Sequence, residues 1–184
     1  MKTTELFAEL LVIGIGGCAL VMTLALIAAP ELATWSFDPV RLFLPTLVAA
    51  YVLGIVIDRL ADGLFTFAFG SRSPLAITSE QMPEYREATD RALEPNPRAA
   101  QLHAYNRTRQ RICRSWTLLG IGLGATIPFA VVSLGMTARV GRVASVAFVF
   151  LAVGCFLAWY ALKQAEEREI LRLANSRNGS GTGD

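Results

Sequence analysis

Four long apolar runs decide what this chain can fold into. Leu6–Ala29 is 24 residues with Glu9 as its only charged side chain. Trp116–Ala138 and Val143–Leu162, 23 and 20 residues long, carry no charge at all. Leu42–Phe69 is 28 residues, interrupted only by Asp58, Arg59 and Asp62. About 18 consecutive apolar residues are enough for a helix to cross the ~30 Å hydrocarbon core of a bilayer. A water-soluble element would instead alternate apolar and polar positions, because one of its faces meets solvent. The expected fold is an all-α membrane protein with transmembrane helices at about 6–29, 42–66, 116–138 and 143–162. Composition agrees, since 53% of the 184 residues are hydrophobic and only 17% are charged.

The first run exceeds the ~7–15-residue apolar core of a secretory signal, and Lys2 is the only basic residue before it. Pro30 follows the one small-residue cleavage candidate, Ala29. A permanent anchor is expected.

Lysine and arginine set the orientation. With spans alternating in direction, Lys2, the eight arginines between 72 and 114, Lys163, Arg168, Arg172 and Arg177 share one side, 13 of the 17 basic residues. Arg41, Arg139 and Arg142 fall on the other, and Arg59 lies in a span. Basic loops stay cytoplasmic, so the chain is expected in a cell inner membrane with both termini in the cytosol. Four segments result: an N-terminal hairpin (1–70), a cytosolic helical loop (71–114), a C-terminal hairpin (115–163), and a cytosolic helix with a flexible tail (164–184).

The outer connections read as short, PELATWSFDPV (30–40) and TARVGR (137–142). On the inner side, Ser73-Pro74 disfavours helix over 71–82, whereas Pro83, Glu84 and the Glu87–Arg91 pair favour one over 83–94. EPNP (94–97) is a break. Asn96 then caps a helix with Pro97 at its first position, and nothing obvious stops it before Gly120. Residues 97–114 would project about 27 Å beyond the membrane. Past span 4, Lys163–Glu167 and Glu169–Arg172 support a second helical extension.

The cytosolic pieces are too short to bury the core of a separate catalytic domain. Cys18, Cys113 and Cys155 form no CxxC pair, which argues against a disulfide framework or a zinc site. His103 is the only histidine, so metal catalysis lacks ligands and a Ser-His-Asp triad has no plausible geometry. It reads as a solvated helix-surface side chain. No P-loop or HExxH occurs, and GIGLG (120–124) lies inside an apolar run rather than opening a helix after a strand. No enzyme and no cofactor is expected.

Three constellations remain. Asp58 and Asp62 stand one helical turn apart on one face, with Arg59 one turn from Asp62, and Tyr51, Gly54 and Phe65 extend that face. An ionisable group at the bilayer centre costs about 2.5–3.5 kcal/mol and usually serves function. Leu42–Ile57 supplies 16 apolar residues before Asp58, about 24 Å of rise, which leaves Asp58 only some 6 Å inside the boundary. A charged rim that fixes helix depth competes there with a polar gate at the mouth of an oligomer, and with a transport carboxylate. Arg107, Arg109, Arg111 and Arg114 form the second constellation, a juxtamembrane basic stripe suited to anionic lipid at about 1 kcal/mol per side chain, or to a small anionic ligand. Nucleic acid is disfavoured by the adjacent membrane. Gly14, Gly16 and Gly17 in span 1, Gly54 in span 2, and Gly120 and Gly124 in span 3 are the third, sites where helices approach closely.

These features point to a self-associating membrane effector or channel-like subunit governed by a cytosolic ligand or partner. The alternative is a membrane scaffold that recruits a cytosolic partner without permeation. A small transporter, or a lipid-headgroup enzyme using Asp58 and Asp62, is the third option.

Overall fold

The computed structural model describes residues 3–34, 39–69 and 97–178. The loop expected over 71–82, the helix over 83–94, the break that precedes Pro97 and the tail 179–184 lie outside these residues. Four helices account for nearly all the rest: α1 (Thr3–Ala28), α2 (Pro39–Phe69), α3 (Pro97–Ser133) and α4 (Ala138–Asn178). Each is long and apolar enough to cross a membrane, as in a multi-pass membrane protein. A single 3-10 segment, Pro30–Thr34, follows α1.

Helix α3 runs unbroken from Pro97 to Ser133, so the arginine-rich stretch and the third apolar run are one rod about 55 Å long. Helix α4, 41 residues, is a second such rod.

The third helix stops earlier than the apolar run does. Gly135 takes a left-handed conformation with φ 70°, its N–H donating to the Val132 carbonyl and that of Met136 to the Val131 carbonyl, at 3.0 and 3.1 Å. That pair of bonds closes a helix end on a glycine free of the Cβ penalty. Thr137 then accepts from the Val140 N–H at 3.0 Å as α4 begins. The α3–α4 connection is therefore Leu134–Thr137 rather than TARVGR, and Arg139 and Arg142 sit in the opening turns of α4. The helix that carries span 3 therefore closes at Ser133, five residues before the end of the 116–138 run.

Helix α3 packs against all three other helices, largely through glycine. Between α1 and α2 the contact is reciprocal: a Cβ on Gly14 would overlap the Ala50 carbonyl, and one on Gly54 would overlap the Leu10 carbonyl. Between α1 and α3, Gly16 meets Leu119 and Trp116, and Gly122 meets Leu20. Between α3 and α4, Gly120 lies against Phe148 and Ala152, and Gly124 against Ser145 and Val149. Without a cavity-filling side chain the backbones come close enough for dispersion to hold helices that gain nothing from leaving lipid. Ser145 Oγ uses that proximity to donate to the Gly124 carbonyl at 2.5 Å.

Ile13, Ile57 and Leu119 form the dry centre of α1, α2 and α3, with Leu20, Leu53 and Trp116 around them. Large apolar side chains such as Phe43, Phe129, Val143 and Phe150 point outward and remain exposed, the pattern of a surface solvated by lipid. The contacts run antiparallel between α1 and α2 and between α3 and α4, and parallel between α1 and α3. The start of α1 and of α3 thus gathers at one end of the bundle with the close of α2 and of α4. This end carries Arg107–Arg114, Lys163, Arg168 and Arg172, and is called the charged end below.

Candidate functional site

On the charged side of the Ile13–Ile57–Leu119 layer the interior turns polar. Asp58 follows Ile57 directly and is only 7% exposed, and Ala61, 1% exposed, closes the next turn of α2. Across from them Ser115 stands one turn before Leu119 and is completely buried. Beside it Arg114 reaches from α3 to α2, where its guanidinium donates to Asp62 Oδ1 at 2.5 Å. Two separate sequence clusters therefore converge: the basic stripe of α3 supplies the counter-ion for the acidic end of α2.

Pairing leaves this layer incompletely satisfied. Arg114 Nε and Ser115 Oγ are both buried without a hydrogen-bond partner. The serine departs from the habit of its neighbours, since Thr23, Thr117, Thr126 and Ser133 each donate to the carbonyl four residues back, at 2.7–3.0 Å. In a helix that local bond is the default for a hydroxyl without better company. A buried polar group left unpaired costs about 1–3 kcal/mol, so the layer is an energetic liability next to a well-packed apolar one.

The remaining members of the two constellations go elsewhere. Arg59, beside Asp58 in sequence, is exposed and does not take the Asp62 carboxylate. Tyr51 stacks on Phe7 of α1, ring centroids 5.2 Å apart, about 10 Å along α2 from Asp58. Arg107 is exposed and Arg111 half-buried. Arg109 lies over the Tyr105 ring, 4.3 Å from its centroid, a cation–π contact worth about 0.5–1 kcal/mol at an exposed site.

Two further supports stand at the charged end. Gln110 donates to Glu166 at 2.5 Å, tying α3 to α4 beyond their apolar sections. Phe65 and Phe69 of α2 meet Phe156 and Trp159 of α4, with centroids 4.8–6.3 Å apart, and Lys163 Nζ lies 5.5 Å from the Trp159 ring. Sequence reasoning overlooked Ser115, and of the aromatic cluster it singled out Phe65 alone. The spacing Phe65–Phe69 and Phe156–Trp159, each one turn apart, is the signal that was available.

No group of three or more histidine, cysteine, aspartate or glutamate side chains among the described residues is arranged to hold a metal ion. The chemistry at hand is charge and hydrogen bonding: a carboxylate and a hydroxyl in a confined layer, one guanidinium–carboxylate pair beside them, and a dry barrier above. No protein-family model matches this chain, and neither a curated protein nor a solved structure matches it significantly.

Proposed function

We propose that the protein is a non-enzymatic, self-associating membrane effector of channel-like type, spanning a cell inner membrane four times with both termini in the cytosol. The observation that carries this reading is the polar layer of Asp58, Asp62, Arg114 and Ser115 seated directly under the Ile13–Ile57–Leu119 layer. Buried polar groups inside membrane spans are costly and are kept where ions, protons or water are handled. A ring of apolar side chains over a polar mouth is how pores close by dewetting.

The basic stripe favours control from the cytosol. Arg107, Arg109 and Arg111 on the protruding part of α3 suit anionic lipid, a small anionic ligand or an acidic partner surface. Arg114 belongs to the same rod and holds Asp62, so a displacement of the arm bears on the inner end of α2. For self-association, α4 offers Ala147, Leu151 and Gly154 on an exposed face, and a Cβ at Gly154 would meet nothing within 4 Å.

Ion flux tests this reading. Full-length protein reconstituted in liposomes is expected to dissipate a potassium gradient, and Asp58→Asn to abolish the flux while insertion and abundance stay unchanged. Silent liposomes under every ionic condition and added anion would overturn it. One observation favours a scaffold instead: the Gln110–Glu166 bond splints α3 and α4 into a two-helix stalk suited to docking a cytosolic protein. A stable partner in pull-downs, combined with silent liposomes, selects that reading.

A further inference from the structure

A groove of about 630 Å³ opens between α3 and α4 near the charged end. From α3 it takes Arg109, Ile112 and Cys113, and from α4 Ala158, Ala161, Leu162 and Ala165. We propose that it binds one anionic phospholipid, the phosphate on Arg109 and an acyl chain laid along the alanine-floored trough. The proposal requires that the four helices be membrane spans, and it does not depend on whether they conduct.

Position comes first. The last uncharged run of the chain ends at Leu162, and Lys163 follows. Ala158 and Ala161 lie on the apolar side of that boundary, and Ala165 and Arg109 on the charged side. Seven residues of helix separate Ala158 from Ala165, about 10 Å. The groove thus crosses the depth where a phospholipid passes from phosphate to hydrocarbon.

Its chemistry changes along the same line. One end offers a guanidinium, whose fork of donors matches phosphate oxygens. This guanidinium lies over the Tyr105 ring, 4.3 Å from its centroid, which helps to fix its place at the groove. On the α4 extension, Glu166 accepts a hydrogen bond from Gln110. The other end is lined by Ile112, Ala158, Ala161 and Leu162. The α4 side is thus apolar throughout, three small alanines at spacings of three and four residues with one larger leucine among them. A phospholipid supplies the anion and the apolar chain in one molecule. A second copy of this apolar face would cover the trough but leave Arg109 without a counter-ion at a buried position, which is costly.

Native mass spectrometry of the full-length protein in detergent, offered equal phosphatidylglycerol and phosphatidylethanolamine, tests the site. The wild type should retain one phosphatidylglycerol in preference. Arg109→Gln should lower that preference about fivefold, the equivalent of roughly 1 kcal/mol per basic contact. Ala161→Leu, which fills the trough without touching charge, should reduce retention of both lipids. If Ala161→Leu fails to fold by circular dichroism, Ile112→Trp fills the same space from the other helix. Equal retention by wild type, Arg109→Gln and the trough-filling variant would overturn the proposal. Displacement of the lipid by millimolar inorganic phosphate would identify a free-anion site instead. A shift from dimer to monomer in the filled variant with lipid retention unchanged would identify a self-contact.

Discussion

Arg114 on α3 and Asp62 on α2, 52 residues apart in sequence, are joined at 2.5 Å on the charged side of the bundle's dry centre. The two partners are unequally placed: the arginine side chain is 19% exposed and the aspartate 49%. Their removal should therefore be unequal as well.

Asp62→Asn leaves a largely buried guanidinium without its anion, and should destabilise the bundle by about 1–3 kcal/mol. Arg114→Gln leaves a carboxylate that water can reach and should cost less, under about 1 kcal/mol. The double variant should be milder than Asp62→Asn alone. Denaturant titration of the detergent-solubilised protein measures all three, and equal single-variant losses would contradict this asymmetry.

Gly14→Ala and Gly54→Ala each push a methyl into a backbone carbonyl that no rotamer change can move. We expect each to part α1 from α2 at a cost of about 1–3 kcal/mol. Gly63→Ala should be neutral or stabilising by up to about 1 kcal/mol, because a Cβ there meets nothing within 4 Å and alanine is the better helix former. Thermal unfolding followed by circular dichroism separates the two groups.

Ser115→Ala removes a buried hydroxyl that has no partner. A purely structural residue would then make the protein more stable, by up to about 1 kcal/mol. If the polar layer conducts, the same variant should lose ion flux while its melting temperature holds or rises. Parallel flux and melting measurements decide the matter, and a drop in stability would show that the hydroxyl is satisfied in the membrane.

Gly135→Ala places a Cβ in the left-handed region at the close of α3. A cost of about 1 kcal/mol is expected, without a change in helix content, since the helices on either side are fixed by Gly120, Gly124 and Gly141. Far-UV circular dichroism with denaturant titration checks it.

Much of the fold was legible in the chain because span length and charge are properties of one dimension. Twenty uncharged residues from Val143 to Leu162 need no partner to declare themselves. The glycines were also readable, as Gly120 and Gly124 stand one turn apart in an apolar run. Helix rotation was not readable. Asp62 has Arg59 one turn away, and only the docking of α3 beside α2 brings Arg114 closer. For the same reason Ser115 looks unremarkable until Leu119, one turn on, is seen to face Gly16. The end of α3 was missed because hydropathy continues smoothly through Leu134 and Met136, whereas the stop is conformational and rests on Gly135 alone.

The long sequence separation between Asp62 and its counter-ion also bears on how such a chain is made. The first two spans leave the ribosome before the counter-ion of Asp62, and they wait for half a hundred further residues before Arg114 emerges. We expect a hairpin left in that condition to be more open to proteolysis than the finished bundle. Truncations that end before the third helix should accordingly be cleared from cells rather than accumulate as stable fragments.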